Sequence, residues 1–361
     1  MCSIKKQIHR LYTLSALSSF QIAGASWVAL LAARGFSLVE IGVAESVFHL
    51  TSLLFEVPSG VIADVFGRRR SMILSQCMFV LSALFMAFSA SFPLICAALA
   101  LDALGYNFAS GTREALAYDS LISAGQENRY LDYSSKEYAI YRLGNAGAVL
   151  CAGLALWLGC RRAYLLDAAL GIGCLLVAFR LEEIRLDARQ LTGSVGLRVW
   201  QCFRESFRFL RSSGPSLLLM LWNALIGAVA TLTGFFLQAR LSDVGLSQAL
   251  LGPALFLLSL GGAAGARLAS HSGRLAYKPL SLVCLAAVLA GAACTAGSVI
   301  PVMVLGSFLS NLCDDLLEVR TDALLNERFP SSQRATLISV NSLCFSLVMI
   351  VLSPLAGLFF S

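Results

Sequence analysis

Six polar residues recur at helical spacing inside one apolar run: Ser307, Asn311, Asp314, Asp315, Glu318 and Asp322. Asp314, Asp315 and Glu318 lie so close together that, in a low dielectric, they cannot all stay ionised cheaply. At least one must bind a proton, a metal cation or a cationic substrate, or pair with a base such as Arg320, Arg113 or Arg142. Asp314 and Asp315, nearest the middle of the run, point to coupling or substrate binding, whereas Asp322 at its end fits an ion-pair network with those arginines. A second stripe, Glu45, His49, Ser52, Glu56 and Ser59, advances in steps of four and three and so occupies one helix face. Lipid cannot face such a stripe, and its natural place is an aqueous cavity. Glu45 and His49 can change protonation there; His49 fits a structural contact equally well, and Glu56 fits a carboxylate that accepts hydrogen bonds from a neighbouring helix. Asp102, Tyr106 and Asn107, together with Gln21, Asn145 and Asn223, complete the set, although amides in such runs also serve to bridge helices. Asp167 has Arg161 and Arg162 as its nearest partners in the chain.

The elements that must position these groups are membrane helices. Of 361 residues, 58% are hydrophobic and 13% charged, too little polar surface for a water-soluble globule. A spanning helix needs about 20 mostly apolar residues. Eleven stretches supply them: Leu11–Ala33, Ile41–Ala63, Ser71–Ala90, Phe92–Gly111, Tyr141–Leu158, Ala163–Phe179, Leu217–Gln238, Ala249–Leu268, Leu280–Gly297, Val299–Ala323 and Ala335–Phe360. The first is too long for a secretory signal and leads straight into further spans. The 11 cysteines fall almost all inside apolar stretches without a Cys-x-x-Cys, which fits small buried hydrophobes.

With the amino terminus placed in the cytoplasm, all of the 27 basic residues except Arg34, Arg161, Arg162 and Arg240 fall on the cytoplasmic side, as the positive-inside rule requires. The net charge of +6 therefore reflects topology, and nucleic-acid binding is a poor explanation for it. Arg113, Arg129, Lys136 and Arg142 are expected in the loop between spans four and five. Two passages repeat at nearly one offset, Gly67-Arg68 as Gly273-Arg274 and Glu114-Ala115-Leu116 as Asp322-Ala323-Leu324, which predicts two related halves. The expected division is a six-helix bundle over 1–180, a central cytoplasmic loop over 181–214 and a five-helix bundle over 215–361. On this reading a twelfth helix is missing and the carboxy terminus lies outside. The central loop holds a predicted helix with Trp200, Phe203, Phe207 and Leu210 on one face, flanked by Arg204, Arg208 and Arg211. It fits a helix lying on an anionic leaflet or an ordinary linker helix.

Between spans two and three the chain reads Gly60, Asp64, Gly67, Arg68, Arg69 in the pattern Gly-x-x-x-Asp-x-x-Gly-Arg-Arg. Ser110-Gly111-Thr112, Ala115 through Leu121, and Arg334-Ala335-Thr336 accompany it. These residues resemble the major facilitator superfamily, in particular its bacterial drug-efflux-like branch. The resemblance implies that Asp64 faces the cytoplasmic start of span eleven at Arg334 and closes an inner gate, which suits the positive end of a helix. Two positions depart from the family's proton-coupled pattern: Asn107 stands where an arginine is common, and span five lacks the Gly-Pro pair associated with antiporters, reading Gly144-Asn145-Ala146-Gly147 instead.

The expectation is an all-α polytopic carrier of the inner membrane, working by alternating access on a small organic solute, with protons or another cation as coupling partner and export as the direction. No cofactor is implied. Cavity acids without a buried lysine favour cationic or neutral amphiphiles. Solute uptake is one rival; another is a non-transporting relative, a sensor, an assembly partner or a truncated product. A membrane enzyme ranks last, because the chain has no His-Glu-x-x-His, no Gly-x-Ser-x-Gly and no phosphate loop.

Overall fold

The computed structural model describes residues 4–184, 196, 200, 204, 214–328 and 334–361, and every regular element among them is helical. In chain order these are α1 (Ile4–Ser19), α2 (Trp27–Ala33), α3 (Leu38–Phe66), α4 (Arg68–Phe88), α5 (Phe92–Ala109), α6 (Thr112–Ser123) and α7 (Tyr130–Leu150). They continue with α8 (Ala152–Leu158), α9 (Cys160–Phe179), α10 (Gly214–Asp243), α11 (Gln248–Ala269), α12 (Tyr277–Thr295), α13 (Ile300–Arg328) and α14 (Arg334–Phe360). Together they supply ten segments long and apolar enough to cross a membrane, or eleven when α7 and α8, bent by 50°, form one span. The all-α polytopic fold read from the apolar runs is therefore the fold observed.

Three details differ from the sequence expectation. The first span is not one helix over Leu11–Ala33: the chain leaves helical geometry after Ser19 and resumes through a short turn at Gly24–Ser26. Span four does not stop at Gly111. That glycine adopts a left-handed φ of +68°, its carbonyl accepts the Ala115 N–H, and α6 carries the segment on. Arg113 consequently rides on a helix instead of a loop, as do Lys136 and Arg142 on α7. The aromatic face expected in the central loop lies mostly outside the described residues; Trp200 and Arg204 are helical and exposed.

Two compact units divide the contacts. The first comprises Met1–Ala25, Thr51–Ala148 and Leu158–Glu205, the second Ser26–Leu50, Val149–Trp157 and Ser206–Ser361. In the first, Leu11, Leu14, Met72, Leu116, Leu121, Tyr133 and Cys174 form a buried apolar cluster. In the second, one cluster joins Ala29 and Ala152 to Leu237, Leu251, Leu255 and Met303, and others lie along α10, α12, α13 and α14.

Glycine sets the spacing inside the second unit. A Cβ on Gly42 would overlap the Ser353 carbonyl, and one on Gly357 the Leu38 carbonyl, so the first half of α3 lies backbone to backbone with α14. Gly252 meets the Leu150 carbonyl and Gly153 the Gln248 carbonyl in the same way. Lipid offers no hydrophobic drive between helices, so close backbone approach supplies the association.

Candidate functional site

The charged turn after α3 is the most heavily bonded feature of the first unit. Gly67 turns the chain with φ +103°, and a Cβ there would run into the Glu183 carboxylate. Both Glu183 oxygens receive free amides of the α4 start: the Arg68 N–H donates to Oε1 at 2.9 Å and the Arg69 N–H to Oε2 at 2.8 Å. A helix amino terminus has unpaired N–H groups and partial positive charge, which a carboxylate answers on both counts. The Arg68 guanidinium donates to the Ala115 carbonyl at 2.7 Å and pairs with Asp119 on α6. Arg69 donates to the Phe179 carbonyl at 2.7 Å.

These arginines thus tie α4 to α6 and α9, with Glu183 as the keystone. The Glu182 carbonyl and N–H are held reciprocally by the Gln7 side chain at 3.0 and 3.1 Å. Glu183 has no local sequence signal, since its partners lie 115 and 114 residues away. Glu183→Ala is expected to lower unfolding stability by about 1–2 kcal/mol through loss of this cap, with Glu183→Gln intermediate in a thermal-unfolding assay. Equal melting of all three proteins would remove the keystone role. Asp64 is exposed on the last turn of α3, Gly60 lies one turn before it, and Arg334 opens α14.

The polar stripe on α3 is divided between the two units. Glu45 and His49 are buried and joined Oε1 to Nε2 at 3.3 Å. His49 Nδ1 lies 3.3 Å from the Ser346 hydroxyl on α14, and its ring meets Phe345 edge-on at 5.6 Å. Ser52 instead joins Asn107 of α5 in a reciprocal pair: the Ser52 hydroxyl donates to Oδ1 and the Asn107 amide donates to the Ser52 carbonyl, both at 2.9 Å. Asn107, grouped by sequence with the cavity residues, is occupied at both ends of its amide as a helix tie. Ser59 donates to the Glu56 carbonyl within its own turn. Glu56 and Asp102 are half-buried, while Tyr106 is exposed.

On α13 the acids fan out. Successive helical residues differ by about 100°, so Asp314 and Asp315 cannot share a neighbour. Asp314 faces α10, where a Cβ on Gly227 would lie 3.3 Å from its Oδ1; Asp315 fills the space beside Gly262 of α11. Glu318 and Asp322 are exposed. Asn311 donates to the Ser307 carbonyl at 3.0 Å, and the Ser307 hydroxyl bonds that of Thr295 at 2.7 Å. The bases expected to answer these acids have other engagements. Arg320 donates to the Leu275 carbonyl at 3.3 Å, Arg113 pairs with Glu137 at 3.3 Å, and Arg142 donates to the Tyr138 hydroxyl.

Asp167 corrects the expectation most plainly. It is buried and meets neither Arg161 nor Arg162 among its described hydrogen bonds and ion pairs; the Arg161 guanidinium lies over the Phe88 ring at 4.7 Å. Its carboxylate accepts the Ile22 N–H at 2.9 Å on Oδ1, and the Ala23 and Gly24 N–H groups at 3.0 and 2.9 Å on Oδ2. Those are the amides freed where the first span breaks. On α7, Gly144 leaves room for the Ser19 side chain and Gly147 for the Phe20 ring.

Residues 11–309 match the sequence profile of the Major Facilitator Superfamily. A curated relative, the uncharacterized MFS-type transporter YxaM of Bacillus subtilis (strain 168), is 31% identical over 105 residues, 28% of this chain and 26% of the relative. The match thus spans about a quarter of that protein's length. Among solved structures, the nucleoside transporter NupG (D323A mutant) superposes with a TM-score of 0.77 at 14% identity, covering 96% of this chain and 90% of that one. A bacterial homolog of the human lysosomal transporter Spinster gives 0.69 at 17% identity, covering 98% and 82%. At such identities the likeness is one of fold.

Proposed function

The chain belongs to the major facilitator superfamily, and from that premise we propose that it is a secondary active transporter of the cytoplasmic membrane. It moves a small organic solute by alternating access, with protons as coupling ion and export as direction. The observation that supports coupling is the buried Glu45–His49 pair on a membrane-length helix. An isolated carboxylate is costly there. An imidazole beside it lets one proton be shared without net charge, and that proton leaves when water reaches the pair. Ser346 fixes the other ring nitrogen and so orients the imidazole.

Asp314 and Asp315 supply negative charge on α13, which suits a cationic or neutral amphiphile. In the transport cycle Asp64 docks on the amino-terminal end of α14, where the helix dipole favours a carboxylate, and its release opens the inner gate. Gly60, Gly67, Arg68, Arg69 and Arg334 belong to this gate; Glu56, Asp102, Tyr106, Asn311 and Glu318 line the solute path.

Full-length protein in proteoliposomes, with an imposed pH gradient and ethidium first among a panel of amphiphilic cations, tests the proposal. Gradient-driven movement of the probe is expected. Glu45→Gln combined with His49→Ala, or Asp314→Asn combined with Asp315→Asn, is expected to slow it about tenfold or more, equivalent to about 1.4 kcal/mol. Unchanged flux in both double variants would defeat the coupling assignment.

A further inference from the structure

A cavity of about 210 Å³ opens at the start of α1, against the turn that joins α6 to α7. Its polar lining is cationic. Lys5 and His9 come from α1 and Arg129 from the turn, where Gln126 Oε1 holds the guanidinium at 2.9 Å. One acid, Asp132, also lines it, and its carboxylate is engaged by Lys136 Nζ at 2.9 Å. The back of the cavity is aromatic: Tyr12 and Tyr133 stack with ring centroids 5.2 Å apart. Tyr133 is 4% exposed, and its hydroxyl has no hydrogen-bond partner. A buried hydroxyl without a partner is uncommon and costly.

We propose that this cavity binds a phosphate group, with Lys5, His9 and Arg129 supplying charge and the Tyr133 hydroxyl donating a hydrogen bond. The volume is below the range of about 300–1,000 Å³ typical of sites for larger ligands, and it suits a phosphate or phosphomonoester head. Charge-assisted hydrogen bonds from guanidinium and ammonium groups are the strong ones, and anionic oxygens are their usual acceptors. The site lies where three membrane-length segments end, so the phosphate comes either from a lipid headgroup or from a free anion. Bound there, it joins the start of α1 to the α6–α7 turn. None of its ligands belongs to the gating turn or to the solute path, so the site stands apart from transport chemistry.

The test uses full-length protein and thermal unfolding in two arms. In detergent, inorganic phosphate is compared with chloride at equal ionic strength; in nanodiscs, phosphatidic acid in phosphatidylcholine is compared with phosphatidylcholine alone. At saturation a shift of about 2 °C or more is expected in at least one arm. A shift with inorganic phosphate assigns a free anion, and a shift confined to phosphatidic acid assigns a headgroup. Lys5→Gln with Arg129→Gln alters exposed side chains only, and it is expected to abolish the shift. Tyr133→Phe removes a hydroxyl that bonds nothing without ligand. It is expected to leave the ligand-free melting temperature unchanged or higher while weakening phosphate binding about threefold or more, the value of a modest hydrogen bond. No shift in either arm, or a shift that persists in either variant, overturns the proposal.

Discussion

Replacing Gly265 by alanine is expected to lower the melting temperature sharply, and replacing it by leucine to prevent recovery of folded protein. Gly261 and Gly265 present bare backbone to α13: a Cβ at the first would lie 2.5 Å from the Phe308 carbonyl oxygen, and one at the second would overlap that of Leu312. The obstructing atoms are backbone, which cannot rotate away as a side chain can. Overpacking of this kind costs about 1–3 kcal/mol, occasionally more, and here the whole α11–α13 seam must separate. Gly234→Ala is the control. A Cβ there meets only Leu258 Cδ2 at 3.7 Å, an ordinary contact, and alanine in a helix interior gains about 0.5–1 kcal/mol over glycine. Gly265→Ala melting with Gly234→Ala would show that the seam tolerates a methyl group and that its closeness is not required.

Asp167→Ala is expected to be the most damaging single polar substitution. It strands the amides of Ile22, Ala23 and Gly24, and a buried donor left without a partner costs about 1–3 kcal/mol. Asp167→Asn should fall between, because one Oδ1 remains as acceptor while the amide nitrogen confronts a backbone N–H. Two readouts check this. Melting temperature should rank wild type, then asparagine, then alanine, and amide exchange at residues 22–24 should accelerate in the same order. Unchanged exchange in the alanine variant would mean that the break in the first span is held by something else, with the glycine-lined slots of α7 the next place to look.

Much of the framework was legible because its causes are local. Apolar runs of membrane length, the Gly60–Arg69 pattern and the acids of α13 can all be read within a short window, and the burial of Glu45 with His49 follows from their four-residue spacing on one helix face. The break after Ser19 was not legible. Phe20-Gln21-Ile22-Ala23 contains no proline and stays largely apolar, and the group that stabilises the freed amides comes from 143 to 145 residues later. Glu183 escaped notice for the same reason. The sharing of the α3 stripe between two contact units also depended on neighbours, since Ser52 found Asn107 while His49 found Ser346.

The sequence by itself determined that this chain folds as membrane-spanning helices and that it carries charge where lipid would not tolerate it unpaired. Hydropathy and helical periodicity are properties of consecutive residues, and both are complete in the chain. Which carboxylate answers which amide, and which glycine admits which backbone, only the tertiary structure decided. Hydrogen bonds and steric contact act over a few ångströms, and packing alone brings residues distant in the chain to that range.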